Sequence, residues 1–497
     1  MSNNSNTKQA AWVAIGSFFS FLVGIISPMI LSRVFSKGDY GTYKQVMYVY
    51  STFLLIFTLG LPKAYSYFIP KYSRDYAKDV INKITNLFIG MGFVFSAVLF
   101  TGSGFIASIL KNPDLELALK YFSPTPLFLL PTIGLDGIYA AFRKTQYLTV
   151  YTIITRFLTV LLTVAPVFWM NGNYIHAIIG FDIASLLTCL IALMMKSSPV
   201  RKETHKKSSL TYKEILQFSL PLMVASFWGI ILSSANQFFV SRYYGNEDFA
   251  EFSNGFMEIP FATMVIGAIA TVLLPRFSEM EEGEKMNDEV YATWQSALIK
   301  SAKIIFPILI FSVVFARLIM VCMYGDAYGS SSVYFMIKNI SSLLYIIPFA
   351  PIMLAIGKTK DYARAHMVAA LLIIILEYLC VKTFESPITI AISSEICQAI
   401  KIYLMMKVIA HYAGRSIIEL VPIKPLSKIL VTCLLAALIT YTLSLLFSIN
   451  KFVLAALCAL LFCSIYYGLC WVVRLSYKEI VIGLLPQTSK PFIKFLP

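Results

Sequence analysis

Charge is what this sequence has least of. Asp, Glu, Lys and Arg make up 13% of its 497 residues, against 58% hydrophobic residues and a mean hydropathy of +0.74. So few charges cannot cover a water-exposed surface, which excludes a soluble globular protein. Histidine is scarce too. His176, His205, His366 and His411 are scattered, none at the i, i+4 spacing a helical metal site requires, and no metal site is expected. The eight cysteines form no CxxC pair and all fall in apolar runs, where they read as small buried hydrophobes. Also missing are the GxxxxGK[ST] phosphate loop, the Gly-rich dinucleotide fingerprint and the nucleophile elbow, which excludes ATP-driven work by motifs in this chain.

What the sequence has instead is apolar runs near the length of about 20 residues that a helix needs to cross the bilayer, roughly fourteen of them. Strands of a barrel would be half as long and alternating. The expected fold is therefore all-α and polytopic, with about fourteen transmembrane helices, the stretches 118–141, 253–275 and 332–356 among them. The run from Ala10 to Leu31 is longer than a signal core and lacks a convincing cleavage site, so it reads as a retained first span. The greater part of the 41 Lys and Arg fall at the N-terminus, in the even-to-odd loops and at the C-terminus, which predicts both termini cytoplasmic. The net charge of +15 then reflects topology and anionic lipid, with no nucleic-acid partner. No outward loop reaches beyond about a dozen residues, so an enzyme presenting catalytic side chains there is not expected.

An internal repeat organises the runs. Ser32-Arg33, Asp39-Tyr40 and Tyr43 recur at identical spacing as Ser241-Arg242, Asp248-Phe249 and Phe252. Pro70-Lys71-Tyr72-Ser73 likewise returns as Pro275-Arg276-Phe277-Ser278. Each copy occupies the same place in a six-helix unit. This predicts an N-lobe over 1–195, a basic cytoplasmic linker over 196–214, a C-lobe over 215–410, and two further helices with a cytoplasmic tail over 411–497.

Leu31-Ser32-Arg33-Val34-Phe35 leading to Asp39-Tyr40-Gly41, the Leu59-Gly60-Leu61 turn in the second span, and Leu220-Pro221 opening the seventh carry a family resemblance. The chain resembles the polysaccharide-type flippases of O-antigen and exopolysaccharide assembly in the MOP exporter superfamily. That likeness implies two related lobes and a polyprenyl-diphosphate-linked oligosaccharide carried across a bacterial inner membrane by alternating access. It also implies membrane lipids as neighbours and a polysaccharide polymerase with its chain-length machinery as partners. Asn236 departs from the pattern, since many relatives carry aspartate there, and no coupling role is assigned to it.

Such a substrate needs a wet, cationic cavity between two lobes, because a bare diphosphate cannot cross hydrocarbon. The cations at membrane depth are Lys63, Arg156, Lys300, Lys303, Lys338 and Lys401, each costing roughly 2.5–3.5 kcal/mol at mid-depth if it faced lipid. Lys300 and Lys303 share a helical face and together would grip a diphosphate. Along with Lys63 they also lie near span ends, where lysines snorkel to the interface; Arg156 and Lys401 are deeper. Polar stripes accompany the deep pair: Thr152, Thr155, Thr159 and Thr163 around Arg156, and Ser394 and Gln398 before Lys401. The threonines can equally bond their own helix backbone. The acids Asp136, Asp182, Glu258, Glu377 and Glu395 are candidates for coupling to H+ or Na+. The alternative is internal pairing, Glu395 with Lys401 or Asp182 with Arg156. Arg33, Asp39, Arg242 and Asp248, in the repeated motif, are expected to close an outer gate. No cofactor is expected. A lipid II flippase and an ion-coupled multidrug antiporter of the same superfamily are the competing readings, and a non-transporting scaffold would gain nothing from unpaired polar stripes.

Overall fold

A computed structural model describes residues 2–201, 206–279 and 287–478. Linker positions 202–205, Lys285, and the tail from 479 onward with Lys490 and Lys494 lie outside the described residues. Among the described residues the secondary structure is helical, with no strand. Contacts divide the chain into two units, Met1–Ala250 and Glu251–Pro497. The structural boundary thus falls one long helix later than the basic stretch 196–214.

The first unit contains α1 (Ser2–Val34), α2 (Lys37–Phe57), α3 (Pro62–Phe68), α4 (Arg74–Leu110), α5 (Asp114–Phe122), α6 (Thr125–Leu129), α7 (Leu135–Ala141), α8 (Thr145–Trp169), α9 (Tyr174–Ser197) and α10 (Tyr212–Tyr243). It also holds the start of α11 (Gly245–Gly255). The chain is helical again from Lys37, because Ser36 caps α2 by accepting from the Asp39 amide at 3.1 Å. Lys37 and Lys44 therefore sit on a helix. The Leu59-Gly60-Leu61 turn does break the second span, with Leu59 and Gly60 both at positive φ. A Cβ on Gly60 would lie 2.4 Å from the Ser219 carbonyl oxygen, so both conformation and space require glycine there. The helix α10 is bent by 46° shortly after Pro221, which removes a rung of the hydrogen-bond ladder.

The second unit continues with α12 (Pro260–Ser278), α13 (Asp288–Val314), α14 (Ala316–Tyr324), α15 (Ser331–Ser342), α16 (Phe349–Ala355), α17 (Thr359–Thr383), α18 (Ile388–Tyr412), α19 (Ile417–Leu420), α20 (Ile423–Ser444) and α21 (Lys451–Val473). Its core runs along α13, where Trp294, Leu298, Ile305 and Leu309 pack with Ile429, Cys433 and Ala436 of α20. Trp294 donates its indole N–H to the Leu420 carbonyl at 2.8 Å.

Among the described residues, ten helices are long and apolar enough to cross a membrane, eleven with the bent α10 counted as one. The other three expected spans are interrupted. Stretch 118–141 is broken by Pro124, Pro126 and Pro131 into α5, α6 and α7; 332–356 breaks between α15 and α16; 253–275 breaks between α11 and α12. Large apolar side chains such as Phe93, Phe105, Leu446 and Leu460 are exposed, as a lipid-facing surface requires.

The repeated motif is realised within the first unit as two matching helix breaks, Val34 to Lys37 and Tyr243 to Gly245, that meet each other. A Cβ on Gly41 would lie 1.9 Å from the Asn246 carbonyl oxygen. Both atoms are backbone-fixed, so Gly41→Ala must separate the helices at a cost of about 1–3 kcal/mol. The variant is expected to melt below wild type in detergent, while Gly90→Ala, with nothing within 4 Å of its Cβ, melts with wild type. Equal melting of the two variants would disprove the close approach.

Candidate functional site: two cavities behind interrupted helices

Irregular backbone at membrane depth survives only where protein buries it or a cavity hydrates it. Paired interruptions in corresponding segments of two repeats mark where a transporter binds its substrate. The interrupted stretches 118–141 and 332–356 are the fourth segment of each repeat, and each walls a cavity in its own unit.

The first unit's cavity, about 840 Å³, is polar and lies among α1, α8, α9 and the break before α7. Arg156 is exposed into it and donates Nε–H to Ser20 Oγ at 2.9 Å. Its remaining N–H groups have no carboxylate partner among the described residues, and Asp136 of the same wall is likewise without an ion pair. Thr152, Thr155 and Thr159 line the cavity and each donates to its own helix, at 2.9, 2.8 and 2.8 Å. With their protons committed, they present hydroxyl oxygens as acceptors to whatever enters. Thr163, the end of the stripe, is buried away from the cavity. Asp182 does not pair with Arg156; it accepts from Thr125 Oγ1.

The second unit's cavity, about 800 Å³, is lined almost wholly by apolar side chains, including Leu298, Phe306, Leu344 and Ile347. Its polar exceptions among the described residues are Ser341, Glu395 and Ser427. Here the expected free cation is absent: Lys338 pairs with Glu395 at 3.0 Å and Glu258 at 3.2 Å. Ser341 donates to the second oxygen of Glu395. Lys401 is buried and lies 5.5 Å from the centre of the Tyr345 ring, whose hydroxyl donates to Gln398 at 2.6 Å. Glu395 therefore pairs with Lys338 and not with Lys401. Two lysines balance two carboxylates, so this cluster carries no net positive charge and the cationic-cavity expectation is confined to Arg156.

The other candidates lie elsewhere. Lys63 is exposed at the first turn of α3. Lys303 donates to the Ser476 carbonyl at 2.5 Å beyond α21, so the pair with Lys300 does not face either large cavity. Of the gate residues, Asp39 closes the cap of α2 with Ser36, Arg242 donates to the Ile109 carbonyl, and Arg33 is exposed beside Phe168. Asp248 stands in the first turn of α11.

Sequence reasoning missed the groups that join the two motif copies. Gln45 donates to Ser241 at 2.8 Å, and Asn112 donates to Gln45 at 2.5 Å and to Thr42 at 2.9 Å. Asn246 adds a bond to the Gly38 carbonyl at 3.2 Å. Buried and mutually satisfied, such a network specifies one packing of these helix ends. One more buried cation was missed, and one expected acid proves to be buried alone. Lys196, assigned to the linker, is 2% exposed and donates to Tyr65 Oη at 2.6 Å and to the Ile133 carbonyl at 2.9 Å. Glu377 on α17 is 0% exposed, and neither carboxylate oxygen has a partner among the described residues.

Paired cavities behind interrupted helices in a multi-pass helical bundle are the architecture this chain presents. Solved structures share that fold. The lipid II flippase MurJ in an inward closed conformation matches at 17% identity and a TM-score of 0.70 over 94% of this chain and 99% of that one. An inward-facing multidrug resistance MATE transporter matches at 12% identity and 0.61, over 82% and 99%. A MOP superfamily transporter from Pyrococcus furiosus, whose binding pocket is described as reversed in polarity, matches at 13% and 0.55, over 82% and 96%. The chain belongs to the polysaccharide biosynthesis protein family, whose model matches residues 7–281. No curated protein matches the sequence.

Proposed function

We propose that this protein is a flippase that carries a polyprenyl-diphosphate-linked oligosaccharide from the cytoplasmic to the outer leaflet of a bacterial inner membrane. Both termini are cytoplasmic in this reading, transport runs by alternating access, and the product feeds surface-polysaccharide assembly by a polymerase with its chain-length machinery. The observation that carries it is the hydroxyl-lined first cavity with Arg156 as its carboxylate-free cation. A guanidinium suits phosphate oxygens, and rows of hydroxyl acceptors suit sugar hydroxyls. The second unit's cavity has the complementary chemistry, apolar and large enough for several isoprene units. Coupling, in this reading, falls to Glu377. An ionised carboxylate without a partner is too costly in such a site, so the group carries a proton or meets a cation.

The test is the leaflet position of the lipid-linked glycan, read by lectin access to vesicles from cells lacking the protein, complemented with wild type or Arg156→Ala. Loss of a charged hydrogen bond costs about 1.5–3 kcal/mol, so flux in the variant falls roughly 10- to 150-fold at matched expression. A glycan that reaches the outer leaflet equally well without the protein would overturn the proposal and leave lipid II or drug transport as the function to test.

A further inference from the structure

A third cavity, about 370 Å³, lies where α13, the start of α20 and the end of α21 come together. Four of its lining residues are cations, Lys303, Lys424, Lys428 and Arg474, and none of the described lining residues is acidic. The remainder is mainly apolar, with Ile299, Ile429 and Leu475 in the wall. Four like charges around one small cavity repel one another and draw an anion between them.

The local backbone builds this arrangement. Lys424 and Lys428 are one helical turn apart on the first turns of α20, so they share a face. Arg474 ends α21 at φ 55, a left-handed cap that glycine fills most easily. The segment after it is pinned to α13: Tyr477 Oη donates to the Lys303 carbonyl at 2.8 Å, Lys303 Nζ donates to the Ser476 carbonyl at 2.5 Å, and Tyr466 and Tyr477 share a 2.6 Å hydroxyl contact. The cations thus surround a preformed cavity at the ends of membrane helices, with apolar wall beside them.

We propose that this cavity binds the phosphate of an anionic phospholipid headgroup, with its acyl chains lying along the apolar side. The convergent lysines and arginine supply the charge, and basic pockets between membrane helices take anionic headgroups on this principle. The site is separate from both transport cavities, so lipid retention at it does not depend on what the protein carries.

The test uses the whole protein in neutral detergent, offered phosphatidylglycerol or phosphatidylcholine, with native mass spectra and melting curves as readouts. Wild type retains phosphatidylglycerol and melts higher with it, and phosphatidylcholine does neither. Each lysine removed weakens retention about fivefold, so Lys424→Gln with Lys428→Gln weakens it about 30-fold. The control Lys360→Gln with Lys407→Gln removes equal charge from exposed positions and retains the lipid. Both doubles melting with wild type in phosphatidylcholine establishes that they fold. Equal retention of the two lipids, or undiminished retention by the pocket double, would overturn the site. An equal thermal shift from inorganic phosphate would assign it to a free anion. Displacement of phosphatidylglycerol by undecaprenyl phosphate at equimolar concentration would assign the cavity to the transported lipid.

Discussion

Lys338→Met is expected to destabilise the second unit by about 3–5 kcal/mol, the cost of stranding a buried charge when its partner is removed. The stranded group is Glu395, whose side chain is 7% exposed; Glu258, at 59%, can turn to water and contributes little. Adding Glu395→Leu should recover most of the loss, since apolar replacement of a whole buried pair is often neutral or better. Glu395→Gln alone should cost less than Lys338→Met, because Lys338 keeps Glu258 at 3.2 Å. Melting of wild type, Lys338→Met, Glu395→Leu and the Lys338→Met with Glu395→Leu double in one detergent forms a double-mutant cycle whose coupling measures the pair directly. If Lys338→Met melts with wild type, the ion pair is not a structural element, and Lys338 returns as a cation available to substrate.

That pair marks where sequence reasoning stopped. Lys338 and Glu395 were both visible as costly ions at membrane depth, yet 57 positions separate them and the partner chosen for Glu395 was the nearer Lys401. Spacing along one helix is legible in a sequence; which helices pack together is not. The Gln45, Asn112 and Ser241 network has the same origin, with separations of 67 and 196 positions. Lys196 was read as a linker charge because it sits in the last turn of α9, and only the fold shows it turned inward onto Tyr65.

The apolar runs and the repeat were legible because each rests on local order, and the break at Leu59-Gly60-Leu61 falls where the motif placed it. Hydropathy, however, counts residues without regard to backbone. It scored 118–141 as a plain span although Pro124, Pro126 and Pro131 within eight residues already forbid an unbroken ladder. Read for proline as well as for apolarity, that stretch would have pointed to the first cavity.

Glu377→Gln is expected to abolish the response of transport to an imposed ion gradient while leaving the fold intact. The amide keeps the shape of the carboxyl and carries no charge to neutralise, so the variant should melt at or above wild type. If the coupling ion is sodium, wild type is stabilised by sodium relative to choline, by about 2.7 kcal/mol at a hundred times the dissociation constant, and the variant is not. If it is a proton, sodium stabilises neither protein, and an imposed proton gradient drives glycan transfer in wild type alone. Both forms of the result follow from one observation, a carboxyl buried on α17 near Cys397 with no partner for either oxygen among the described residues. The other acids at membrane depth differ in this respect: Glu258 and Glu395 are both paired with Lys338, and Asp182 is bonded to Thr125. A Glu377→Gln protein whose flux still follows either gradient would move the coupling site to Asp136, the acid of the first cavity without an ion pair.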